Sequence, residues 1–180
     1  MTVTVEPAEF RFVRYDASEI ADLVTRLAEE LGLGGATIEV EVNERSPFGT
    51  AELRSIDPIR IIVESGALEH PRVPRTMSPD GVIDVLGRLL LEARDRLDPA
   101  FGAPPLGEPV ALNYRVAWDT YCMGRLAAVG HRSQPQRRRY HFRVRHGFTD
   151  AADDAFDRLW SAERLSWAEV VAISDALGAD

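Results

Sequence analysis

Seven arginines and three of the four histidines lie between Asp119 and Asp150, a window with no acidic residue in a chain of formal net charge −8. Such segregation concentrates positive potential locally, so a chain that repels anions overall can hold one at this stretch. Within it, Tyr140, Phe142 and Val144 alternate with Arg139, His141, Arg143 and Arg145. Read as a strand, this puts four basic groups on one face about 6.6 to 6.8 Å apart, near the phosphate step of an extended single-stranded nucleic acid. Arg132, Arg137 and Arg138 add to the field. An arginine fork holds a carboxylate or phosphate by two parallel hydrogen bonds, so the chemistry is capture of an anion.

Two readings need no ligand. Glu39 and Glu41 project from one face of another expected strand and can answer a basic strand across a sheet. Alternatively, Pro135 to His146 forms a helix ended by Gly147, its arginines compensated by Asp150, Asp153, Asp154 and Asp157. All 21 basic residues are arginine, which reads as codon bias in a GC-rich genome more than as selection for guanidinium chemistry.

Other reactive residues carry weaker patterns. Cys122, the only cysteine, excludes an internal disulfide and sits on an apolar helical stripe, as a buried thiol does. His146, Asp150, Asp153 and Asp154 include oxygen ligands for a metal, but Thr149 or Asp150 as a helix cap explains them without one. Gly32, Gly34 and Gly35 follow a helix where a phosphate-cradling loop would open one. No catalytic residue, metal or cofactor is assigned.

The elements that position these groups follow from periodicity. Asp16 to Glu19 has the form of a reciprocal cap, and Ile20, Leu23, Val24, Leu27 and Leu31 follow at helical spacing. A short strand is expected over Phe10–Val13, another over Ile38, Val40 and Val42, a return strand from Ala51 and Leu53, and a more buried one from Ile59 to Val63. Ser78-Pro79-Asp80 opens a central helix with Val82, Leu86, Leu89, Leu90, Ala93 and Leu97 on its apolar stripe. Four of the eleven prolines fall between Asp98 and Pro109 and mark a loop. Val110, Leu112, Tyr114 and Val116 alternate as in a strand, and a helix from about Trp118 to Val129 places Trp118, Cys122, Leu126 and Val129 on one side. The C-terminus reads as a helical hairpin with a capping box at Ser166-Trp167-Ala168-Glu169.

The expected fold is therefore α+β: a small antiparallel or mixed sheet with two packing helices, then a mainly helical half ending in a hairpin. Residues 1–180 are read as one domain, subdivided at loop 98–109 into an α/β half (1–97) and a mainly helical half (110–180). The first-half order of helix, three strands and helix resembles the minimal zinc peptidases, which implies zinc held by two histidines with a glutamate in an HExxH stretch on the central helix. Here that helix reads Val82-Ile83-Asp84-Val85-Leu86-Gly87-Arg88 and has no histidine, so the resemblance implies an inactive relative. His70 precedes the helix as a surface residue.

The functional expectation is a non-catalytic cytoplasmic protein whose Arg132 to Arg145 segment engages an anionic ligand or acidic protein surface, RNA included. The alternative is an interaction or homo-oligomer assembly module. Sequence-specific DNA is disfavoured, because the second hairpin helix carries Glu169 and Asp175 and no basic residue. No apolar run of about 18 residues is present, so no membrane span is expected.

Overall fold

A computed structural model describes residues 1–178. The chain divides into two compact units, 1–97 and 98–180.

The first unit opens with β1 (Thr2–Glu6), α1 (Ala17–Glu30), β2 (Thr37–Asn43), β3 (Ala51–Ile56) and β4 (Ile59–Glu64). A small hairpin follows, β5 (Glu69–His70) and β6 (Val73–Met77), and then α2 (Pro79–Leu97). The sheet is mixed, in the order β1-β2-β4-β3, with β1, β2 and β4 parallel and β3 antiparallel to β4. Register explains its core. Ile38, Val40 and Val42 lie opposite Ile59, Ile61 and Val63, and all six are buried. On the other face Glu41 accepts from Arg60 Nη2 at 2.9 Å. Glu41 of β2 is thus answered from within its own sheet, by β4.

Two expectations are corrected here. The return strand β3 does not lie beside β2, because β4 inserts between them. β4 buries Ile59, Ile61 and Val63, whereas β3 fully buries only Leu53, so the more apolar strand takes the interior position and β3 the edge. Phe10–Val13 is not a strand. The backbone N–H groups of Arg11 and Phe12 donate to Glu44 Oε2 at 2.6 and 2.7 Å, leaving no ladder there. The first strand lies earlier, in the β-branched alternation Thr2-Val3-Thr4-Val5.

Helix starts follow their caps. Asp16 Oδ1 accepts from the backbone N–H groups of Ser18 and Glu19 at 2.8 and 3.2 Å and from Ser18 Oγ at 2.6 Å. Ser78 Oγ accepts from Gly81 N at 3.1 Å to open α2, whose last stripe residue, Leu97, is exposed.

The second unit comprises α3 (Leu112–Ala128), α4 (Pro135–His146), α5 (Asp150–Ser161) and α6 (Trp167–Asp175), with α3 packed by the other three. Its core joins Trp118, Tyr121 and Leu126 of α3 to Phe142, Phe156, Leu159 and Val170. The strand expected over Val110–Val116 is instead the entry to α3. A period of two over so few residues also satisfies helical spacing, and the helix buries Ala117, Trp118 and Tyr121 on one face. Val129 ends α3 as an exposed cap, away from the apolar side, and Gly130 follows at φ 96°. α6 opens with the full reciprocal cap of Ser166 and Glu169.

Candidate functional site

The basic segment is the helix α4, not a strand. Pro135 occupies the first turn, where its missing amide costs nothing, and Gly147 at φ 101° ends the helix. At about 100° per residue, the helix sorts the residues that a strand would have alternated. Phe142, His146, Arg139 and Arg143 fall on one side. Tyr140, Val144, Arg137, His141 and Arg145 fall on the other, across an arc of about 140°.

The inner side is fully engaged. Phe142 is completely buried, stacks on the His146 ring at 4.1 Å and meets Phe156 edge-on at 5.9 Å. His146 is tied at both nitrogens, Nδ1 to Phe142 O at 3.2 Å and Nε2 to Ser174 Oγ at 3.0 Å. Partial burial holds its pKa below that of a free imidazole, so at neutral pH it is an uncharged, half-buried ring.

Two of the arginines expected to bind a ligand are held internally. Arg143 Nε donates to Asp153 Oδ1 at 2.7 Å, and Nη2 closes on Oδ2. Arg139 Nη1 donates to Asp157 Oδ2 at 3.2 Å, Nη2 bonds Oδ1, and the guanidinium lies 4.4 Å from the centre of the Phe156 ring. Hydrogen bonds from Arg143, then Arg139, hold the Asp153 carboxyl below the ordinary carboxylate range. Thr149 Oγ1 accepts from Ala152 N at 3.2 Å and caps α5. Within the group His146, Asp150, Asp153 and Asp154, the histidine is thus hydrogen-bonded at both nitrogens, Asp153 is ion-paired to Arg143 and Arg139, and Asp150 and Asp153 lie in the first turn of α5. No cluster of three or more His, Cys, Asp or Glu suited to a metal occurs among the described residues.

The outer side is open. Arg137, His141 and Arg145 are exposed, and neither arginine has an ion pair among the described residues. Beside them Tyr140, Val144 and, just past the helix, Phe148 are 58, 60 and 64% exposed. Tyr140 and Phe148 meet edge to face at 5.9 Å. Arg132 is exposed in the preceding loop and Arg138 is half-buried beside the arc. The structure thus brings together Arg137, His141 and Arg145 and separates them from Arg139 and Arg143. Sequence reasoning missed the apolar half of this face, because the strand reading turned Tyr140 and Val144 inward with Phe142. The available signal was helical spacing: Arg137, His141 and Arg145 recur every four residues.

The remaining reactive groups take structural places. Cys122 is buried in α3, 1% exposed, with Arg125 Nη2 at 3.4 Å from its sulfur. On α2, Val82 and Leu86 are buried in the core, and the helix carries no histidine. No helix among the described residues is long and apolar enough to cross a membrane. No family model, no curated protein and no solved structure matches this chain.

Proposed function

We propose that the protein is a non-catalytic binding protein that docks an acidic protein surface through the outward face of α4. One observation carries the reading: Arg137, His141 and Arg145 stand exposed next to Tyr140, Val144 and Phe148, which are all more than half exposed. Arginine and aromatic residues are enriched at the centres of protein interfaces, where the rings exclude water and the cations select the partner's charge. RNA is the poorer fit, because on this face of α4 only Arg137 and Arg145 project with no ion pair among the described residues, and affinity for nucleic acid grows with the number of phosphates neutralised.

A labelled peptide alternating Asp or Glu with Leu or Phe tests this by fluorescence anisotropy at low and high salt, with single-stranded polyuridine as a second arm. Binding of the peptide that weakens with salt and falls about tenfold or more in Arg137→Glu/Arg145→Glu supports docking. Arg26→Glu, an exposed charge on α1, serves as the control. Peptide binding indifferent to salt and to both reversals overturns the reading, and a preference for polyuridine reassigns the face to nucleic acid. Light scattering in the same salts reads the assembly alternative, in which the acidic partner is a second copy of this net −8 chain.

A further inference from the structure

A second site, independent of α4, is built from the first unit alone. Because β1, β2 and β4 are parallel, their carboxyl ends share one end of the sheet, the place where open α/β sheets bind ligands. A cavity of about 560 Å³ opens there, walled by chain that follows those strands: Phe12 and Val13 between β1 and α1, Glu44, Arg45 and Pro47 after β2, Ser65 directly after β4, and Glu69 and Arg75 in the β5–β6 hairpin. The volume lies within the roughly 300 to 1,000 Å³ of small-molecule sites.

The walls are tied to one another. Tyr15 Oη donates to Ser65 O at 2.6 Å, and Ser65 Oγ donates to Ser46 O at 2.8 Å. At Gly66 a Cβ would come within 2.0 Å of Pro47 O, so these two segments touch backbone to backbone. Glu44 clamps the amides of Arg11 and Phe12, as described above. A site held in this way is formed before its ligand arrives.

The charges inside are of two kinds. Both carboxylates already accept from backbone amides, Glu44 from Arg11 and Phe12, and Glu69 Oε1 from Arg75 N at 3.0 Å. Neither guanidinium forms an ion pair within 4 Å among the described residues; that of Arg45 lies 5.3 Å from the Phe12 ring centre, and its charge, after the amide of Phe12, helps to hold the Glu44 carboxyl below the ordinary range. Arg75 is also the one non-glycine residue with positive φ among the described residues, at 57°. Glu69 fixes its amide, and its carbonyl accepts from Arg14 N at 2.7 Å. Glycine would suit that backbone better, so an arginine there stands in a conformation that packing alone does not favour.

We propose that this cavity binds a small organic carboxylate, its anionic head held by Arg45 and Arg75 and its apolar or aromatic body resting on Phe12, Val13 and Pro47. A ¹⁵N–¹H NMR titration of the full chain tests it with phenylacetate, phenylacetamide and phenyl phosphate as probes, up to about 10 mM. Phenylacetate should shift the amides around Phe12, Arg45 and Arg75, and the neutral amide should bind about tenfold or more weakly, since it lacks the charge that strengthens such bonds. Arg75→Gly should weaken phenylacetate binding by a similar factor with a thermal midpoint no lower than that of the parent, because glycine adopts a φ of 57° freely. Arg45→Ala should weaken it too. No shifts in this cavity, equal binding of the neutral amide, or undiminished binding by Arg75→Gly overturns the proposal. Binding of phenyl phosphate without phenylacetate overturns the carboxylate assignment. Arg137→Glu/Arg145→Glu should leave this titration unchanged, which separates the outcome from that at α4.

Discussion

Arg143 grips both carboxylate oxygens of Asp153, through Nε at 2.7 Å and through Nη2, and so fastens α4 to the first turn of α5. This pair decides what the basic segment is. Charge that the sequence concentrates in one window is divided by the helix into an inner pair, Arg139 and Arg143, that holds two helices together, and an outer pair, Arg137 and Arg145, that faces solvent. An acid-free window is therefore a poor measure of local potential. The answering acids lie one helix further on.

Asp153→Asn should destabilise the protein at neutral pH, since it strips Arg143 of its partner and weakens the hold on Arg139. The folded pKa of Asp153 is depressed below 3.8, so its contribution is present above that value and is lost as pH falls through the folded pKa. Urea midpoints should thus differ between parent and variant at pH 7 and converge in strong acid. A constant difference at every pH would contradict an electrostatic origin.

His146 acts in a different window. Burial depresses its folded pKa below 6.5, so on acidification the unfolded chain takes up the proton first. The stability it confers is complete above 6.5 and declines as pH falls from there through the folded value. His146→Gln should flatten the slope of unfolding free energy as pH falls below about 7. An unchanged slope would place the titrating group elsewhere.

Gly124 on α3 has no room for a side chain, because a Cβ there would lie 2.0 Å from Trp160 O of α5. Gly124→Ala should cost roughly 1 to 3 kcal/mol or more by forcing the helices apart, despite alanine's better helix propensity. A thermal midpoint equal to or above the parent's would show that α3 and α5 have slack at this contact.

How far the sequence revealed this arrangement depended on whether a signal was local. α1, α2 and α6 were legible because a cap and an apolar stripe sit together in each, and β2 and β4 because Ile38, Val40, Val42 and Ile59, Ile61, Val63 alternate cleanly. Strand order was not legible, since nothing near β3 records that β4 takes the interior position. The 139–145 stretch fits both periods: Tyr140, Phe142 and Val144 alternate, yet Phe142 and His146 stack one helical turn apart. The helical alternative, legible from Pro135 and Gly147 at its ends and from the aspartates that follow, is the one the structure has; which of those aspartates pair with which arginines depends on how α4 and α5 pack. The cavity at the ends of β1, β2 and β4 left no trace in the sequence at all, because its residues come from segments as far apart as Phe12 and Arg75.

The division of α4 into two sides can be tested with two rings two residues apart. Phe142 is fully buried between His146 and Phe156, so Phe142→Ala should cost about 3 to 5 kcal/mol through lost burial and the cavity left behind. Tyr140 is 58% exposed, so Tyr140→Ala should change stability by no more than about 0.5 kcal/mol. If the outward face docks an acidic partner, the order reverses for binding: Tyr140→Ala should weaken capture of the acidic peptide while its unfolding curve matches the parent's. A strand would give the two rings the same surroundings and hence similar costs. Equal destabilisation by both variants would therefore count against the helical sorting itself, whereas a stable Tyr140→Ala with full peptide binding would remove only the aromatic half of the docking face.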